Sequence, residues 1–108
     1  MSETVASNKV KTLIQSILND GGIQSESEAL KNQAWVITLS KISKYEAEIR
    51  KYKNKYKTPF TEFEKKLNKQ KNEENFEIED DYLDWKFAEN SLKTWSERKN
   101  LLSNAWAA

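Results

Sequence analysis

The sequence predicts an all-α fold: a long antiparallel helical hairpin, a short cross-helix at its tip and an amphipathic N-terminal helix, in a single domain over residues 1–108. Three observations carry this expectation. Trp35, Leu39, Ile42, Tyr45, Ile49, Tyr52 and Tyr56 keep a spacing of three and four residues, and so do Trp85, Ala88, Leu92, Trp95, Leu102 and Trp106, with Lys99 as a polar intruder. Only helices use that spacing, and two stripes joined by a short connector read as a hairpin. The chain also has two glycines and one proline, too few for the tight turns of a sandwich or barrel, while 32% charged residues suffice to solvate the outer faces of long helices.

Val10, Leu13, Ile14, Ile17 and Leu18 follow the amphipathic pattern and predict a helix over 7–20, capped by Ser7 or Asn8 and stopped by Gly21-Gly22, which also leaves a mobile joint. The second helix is expected over 25–57, with Ser25 or Ser27 as its cap and Glu26 and Glu28 favourable at the positive end of its dipole. Thr58 then caps a short helix over 59–68 that has Pro59 in its first position, where a missing amide costs nothing, and Phe60, Phe63 and Leu67 along one edge. Residues 69–79 are polar and aperiodic and are read as a loop. Asp80 and Asp81 open the last helix, over 80–105.

Cysteine and histidine are both absent. Disulfides, thiolate nucleophiles, Cys/His zinc sites and imidazole bases are therefore excluded. Met1-Ser2-Glu3-Thr4 opens no signal sequence and the longest apolar run, residues 34–37, is too short to cross a bilayer, so a soluble cytoplasmic protein without a membrane role is expected. Charge is segregated: residues 41–71 hold eleven Lys or Arg and four Glu, a net of +7, and residues 73–89 hold eight acids and Lys86, a net of −7. An antiparallel hairpin brings the two blocks together to neutralise each other.

Asp80, Asp81 and Asp84 with Lys86 resemble part of a metal-dependent nuclease site. Such elements sit on strands that converge their side chains, whereas acids in the first turns of a helix are expected for the dipole alone. No glycine-rich phosphate loop or Glu-x-x-His pair is present, so no catalytic residue, metal or cofactor is assigned. Arg50, Lys53 and Lys57, among further lysines interleaved with Tyr45, Tyr52 and Tyr56, define the nucleic-acid alternative, in which phosphates meet the cations and bases stack on the tyrosines. The tyrosines fall on the seam of the stripe, however, and are better explained as core with their hydroxyls at its edge. Trp106, close to the terminus, either clamps the last helix or anchors a partner.

The run Lys55-Tyr56-Lys57-Thr58-Pro59-Phe60-Thr61-Glu62-Phe63-Glu64, followed by an acidic stretch and Glu79-Asp80-Asp81-Tyr82-Leu83-Asp84-Trp85, resembles a group of short helical prokaryotic proteins from archaea and bacteria. These are taken for antitoxins of two-gene toxin–antitoxin modules. The resemblance spans roughly residues 42–95; the chain departs from the pattern in its N-terminal helix and Gly21-Gly22 joint, which the motif does not include, and at Pro59, where a small polar residue is usual. It implies a non-enzymatic protein that acts by binding another protein, such as a small basic toxin. The residues themselves supply surfaces for this: Leu13, Ile14 and Ile17 as apolar anchors, Asp80, Asp81 and Asp84 in the acidic segment as steering charges, and Trp106. A nucleic-acid-associated helical protein and a self-assembling coiled coil are the alternative readings, the latter leaving homo-oligomers open.

Overall fold

Each predicted helix forms, with boundaries set by local hydrogen bonds. The computed structural model describes residues 2–69 and 75–107, with side chains over 7–69 and 75–105. It contains α1 (Ser2–Asp20), α2 (Glu26–Tyr56), α3 (Phe60–Lys69) and α4 (Phe76–Ala107), and no strand among the described residues.

α1 begins at Ser2, five residues earlier than the sequence suggests, so Ser7 and Asn8 lie inside it and neither caps it. The Asn8 carbonyl instead accepts a hydrogen bond from the Thr12 hydroxyl at 2.9 Å. At the other end Gly22 takes φ 82°, and the amides of Gly22 and Ile23 donate back to the carbonyls of Asn19 and Leu18 at 3.0 and 2.7 Å. This is the Schellman arrangement, which needs a residue without Cβ at Gly22. The glycine pair thus closes α1 in a hydrogen-bonded turn.

Ser25, not Ser27, caps α2: its hydroxyl accepts the Glu28 amide at 3.0 Å, and the Glu28 carboxylate reaches back to the Gln24 amide at 3.2 Å. α2 ends on Lys57, whose φ of 56° is left-handed and whose amide donates to the Lys53 carbonyl at 2.8 Å. A side chain in that conformation costs about 1 kcal/mol relative to glycine. Lys57→Gly is therefore expected to raise the melting temperature by about 4 °C, read from a thermal scan. A fall would mean that the lysine side chain compensates for its backbone.

The Phe63 amide donates to the Pro59 carbonyl at 3.1 Å, which places Pro59 at the cap position of α3, one residue later than expected for Thr58. α4 starts at Phe76, well before Asp80, because Asn75 supplies the cap: its side-chain oxygen accepts the Ile78 amide at 3.3 Å and its carbonyl the Glu79 amide at 3.1 Å. Of the expected loop over 69–79, residue 69 is helical, residues 70–74 lie outside the described residues, and 76–79 belong to α4.

By their contacts the residues divide into two units, 1–37 and 38–108. The second has an aromatic core of Tyr45, Ile49 and Tyr52 from α2, Phe63 from α3, and Trp85 and Ala88 from α4. Trp85 is fully buried, with the rings of Tyr52, Tyr56, Phe60 and Phe63 at 5.8, 6.1, 5.4 and 5.1 Å. Tyr45 meets Phe87, Tyr52 meets Trp85, and Lys55 meets Glu77, so positions on α4 descend as those on α2 rise. One expectation is corrected: Leu39 is 39% exposed, whereas Thr38 is 4% exposed. A strict alternation of three and four runs 35, 38, 42, 45, 49, 52, 56, so Thr38 falls on the seam and Leu39 lies one step, roughly 100°, off it.

Candidate functional site

Within residues 1–37 an apolar face is left open to water. Val10, Leu13, Ile14 and Ile17 form the stripe predicted for α1; Leu13 is 60% exposed and Ile17 59%. From α2, Leu30, Val36 and Ile37 are exposed as well. A groove of about 650 Å³ lies between the helices, floored by Ile14, Leu18, Ile23, Ala29, Leu30 and Val36, with Lys11 and Glu26 on its rim. Ile23 and Leu18 come together there because the Schellman turn places the residue after the glycines over the last turn of the helix. Leu30, Val36 and Ile37 were not singled out from the sequence. The signal for Val36 and Ile37 is the apolar run at residues 34–37, which periodicity alone assigns to one seam; Leu30 stands outside that run.

Within residues 38–108, the acidic start of α4 meets the basic end of α2. Lys55 Nζ donates to Glu77 Oε1 at 2.9 Å and to Asp81 Oδ2 at 2.5 Å, and the Tyr56 hydroxyl donates to the same Asp81 oxygen. Asp81 lies on the seam of α4, in the series 78, 81, 85, 88, 92, 95, 99, 102, so the polar group at this core position is satisfied from across the interface. Burial works against its charge, but hydrogen bonds from Lys55 and Tyr56, with the charges of Lys55 and Lys51, outweigh it and hold the carboxyl below the usual 3.8. Burial, then the hydrogen bond to Asp81, pushes the Tyr56 phenol up to about 12. The bonds to Asp81 and Glu77 raise Lys55. On α3, Glu64 accepts a hydrogen bond from the Tyr82 hydroxyl at 2.7 Å, and this bond together with burial raises Tyr82.

These shifts set the pH limits of the clamp. The Asp81 pKa is lower folded than unfolded, so Asp81 supports folding above pH 3.8 and the support is lost as pH falls through the depressed value. Tyr56 is raised from 10.0 to about 12, so its support is complete below pH 10 and is lost between pH 10 and about 12. Folding stability measured across that alkaline window should therefore fall more steeply in the parent than in Tyr56→Phe. Parallel curves would show that the phenol does not titrate with folding.

Asp80 and Asp84 are exposed and do not join Asp81. Among the described residues no three carboxylates converge on a point where a metal would sit. Arg50, Lys53 and Lys57 are exposed, while Tyr45 and Tyr52 are buried, which removes two of the three stacking platforms from the surface. The side chain of Trp106 lies outside the described residues. Among those residues no helix is long and apolar enough to cross a membrane. No protein-family profile, curated protein or solved structure matches the chain.

Proposed function

We propose that this chain is a non-enzymatic protein–protein interaction module of antitoxin type, which binds and neutralises a small protein partner in the cytoplasm of a prokaryote. In this reading the later part of α2 and α4 form a long antiparallel hairpin with α3 across its tip, and α1 presents the anchors. The observation that carries it is the open apolar stripe of Val10, Leu13, Ile14 and Ile17 beside a groove. Exposed apolar residues arranged on one helix face are the usual form of a helix that fills another protein's groove. The acidic side chains of α4 suit a basic partner by steering its approach. Asp80 and Asp84 serve this purpose, and the clamped Asp81 adds to the same field.

The test is binding to the product of the neighbouring gene, measured by calorimetry, with the paired substitution Leu13→Glu and Ile17→Glu. Each anchor buries a side chain worth about 1.5–3 kcal/mol when fully covered, so losing both should weaken binding about 100-fold or more. The unfolding midpoint should stay within a degree or two, because neither residue is buried. Undiminished binding by the doubly substituted chain sinks the assignment of this face.

A further inference from the structure

The acidic start of α4 takes up a single cation of the basic block. Among the described residues Lys55 pairs with Glu77 and Asp81, and Lys51 with Glu48, whereas Arg50, Lys53, Lys57, Lys65, Lys66 and Lys69 are exposed and form no ion pair. Helix geometry explains the division. Lys53 stands two residues before Lys55, roughly 200° round α2, so it leaves on the flank opposite to the one that meets the acids of α4, and Arg50 lies within roughly 60° of Lys53. Lys57 follows in the turn that joins α2 to α3. On α3, Glu64 reaches the Tyr82 hydroxyl of α4 at 2.7 Å. Lys66 is again roughly 200° round its helix and leaves on the side away from α4. The acids on these two flanks are Glu46 and Glu62, and among the described residues neither forms an ion pair.

We infer that this surface binds the phosphate backbone of a nucleic-acid duplex. Six cations against two acids select an anion. The lack of apolar anchors selects its kind: among the described residues no large apolar side chain between residues 40 and 69 is exposed. Protein interfaces draw their energy from buried aromatic and apolar anchors, and membrane-bound helices from apolar residues inserted among the lipids, whereas a phosphate backbone requires cations alone. Unpaired bases would need rings to stack on, but Tyr45 and Tyr52 are buried and the Tyr56 hydroxyl is held by Asp81. Arg50, Lys53 and Lys57 succeed one another at three and four residues, steps of about 4.5 and 6 Å, of the order of the distance between neighbouring phosphates. Contacts of this type position a protein on a duplex without reading its sequence. The inference goes beyond the partner proposed for α1 and does not rest on it.

The test is fluorescence anisotropy of short labelled duplexes of mixed sequence, one of DNA and one of RNA, titrated with the full chain over a salt series. Binding of at least one duplex is expected, with a Kd on the order of micromolar at low salt and a log–log salt slope of about −4 if four or five phosphates are neutralised. Lys53→Gln with Lys66→Gln should weaken it about tenfold and flatten the slope by about 2, and Glu46→Gln with Glu62→Gln should strengthen it. Lys44→Gln with Lys51→Gln, on the flank toward α4, should change it less than about threefold. All of these side chains are exposed, so the melting curves should coincide. The inference is overturned if neither duplex binds at low salt, if binding is indifferent to salt, or if the Lys44 and Lys51 pair matters as much as the Lys53 and Lys66 pair. Retention on phosphatidylglycerol vesicles by a chain that ignores both duplexes overturns it in favour of a membrane surface. Loss of duplex binding in Leu13→Glu with Ile17→Glu overturns it in favour of α1.

Discussion

Trp85→Ala is expected to cost about 3–5 kcal/mol of folding stability, the largest loss from any single substitution in the chain. Trp85 is 0% exposed, and its neighbours come from three directions: Tyr52 and Tyr56 from α2, Phe60 and Phe63 from α3, and its own helix. Removing the indole leaves a cavity lined by rings that cannot all collapse into it, because they are fixed in pairs on two other helices. With a total stability of about 5–15 kcal/mol for a domain of this size, the variant should melt at least 10 °C lower or populate the unfolded state at ambient temperature. Trp85→Phe should cost less, since the indole N–H bonds only to Glu89 Oε1 at 3.3 Å and leaves no buried group orphaned. Ile49→Ala, at 6% exposure, should rank above Leu92→Ala, which is half-buried. Denaturant midpoints decide the order. If Trp85→Ala unfolds within about 1 kcal/mol of the parent, the aromatic cluster is not the core.

Removing residues 1–22 is expected to abolish partner binding while leaving the core of residues 38–108 within about 0.5 kcal/mol of the parent. Every buried side chain among the described residues belongs to residues 38–88, so α1 contributes none. The Ser25 cap that starts α2 also remains in the shortened chain. Near-ultraviolet circular dichroism of the aromatic cluster during unfolding reads the second unit directly. A shortened protein that loses this signal at much lower temperature would mean that the α1 stripe covers part of its own fold. One that keeps both stability and binding would mean that the anchors lie elsewhere.

Much of this molecule was legible in the one-dimensional pattern. The seam residues Ile42, Tyr45, Ile49, Tyr52, Trp85, Ala88, Leu92 and Trp95 stand out by spacing alone, and all are buried or half-buried. The Ser25 cap and the glycine stop at Gly22 were readable because each is satisfied by hydrogen bonds within five residues. The site was less legible. Asp81 reads as one acid among several at a helix start, although it occupies a core position, and only the arrival of Lys55 and Tyr56 from about 25 residues away separates it from Asp80 and Asp84.

Helical content, the inward face of each long helix and the absence of thiol or imidazole chemistry were determined by the sequence itself, since they depend on composition, a 3.6-residue period and short-range capping. The tertiary structure alone decided that Thr38 rather than Leu39 takes the seam, that Asp81 is clamped, and that the stripe of α1 stays open. The physical reason is that an apolar stripe states only that a surface costs free energy in water. Which stripe is covered, and by what, depends on elements far away along the chain and on how many faces their packing can bury at once.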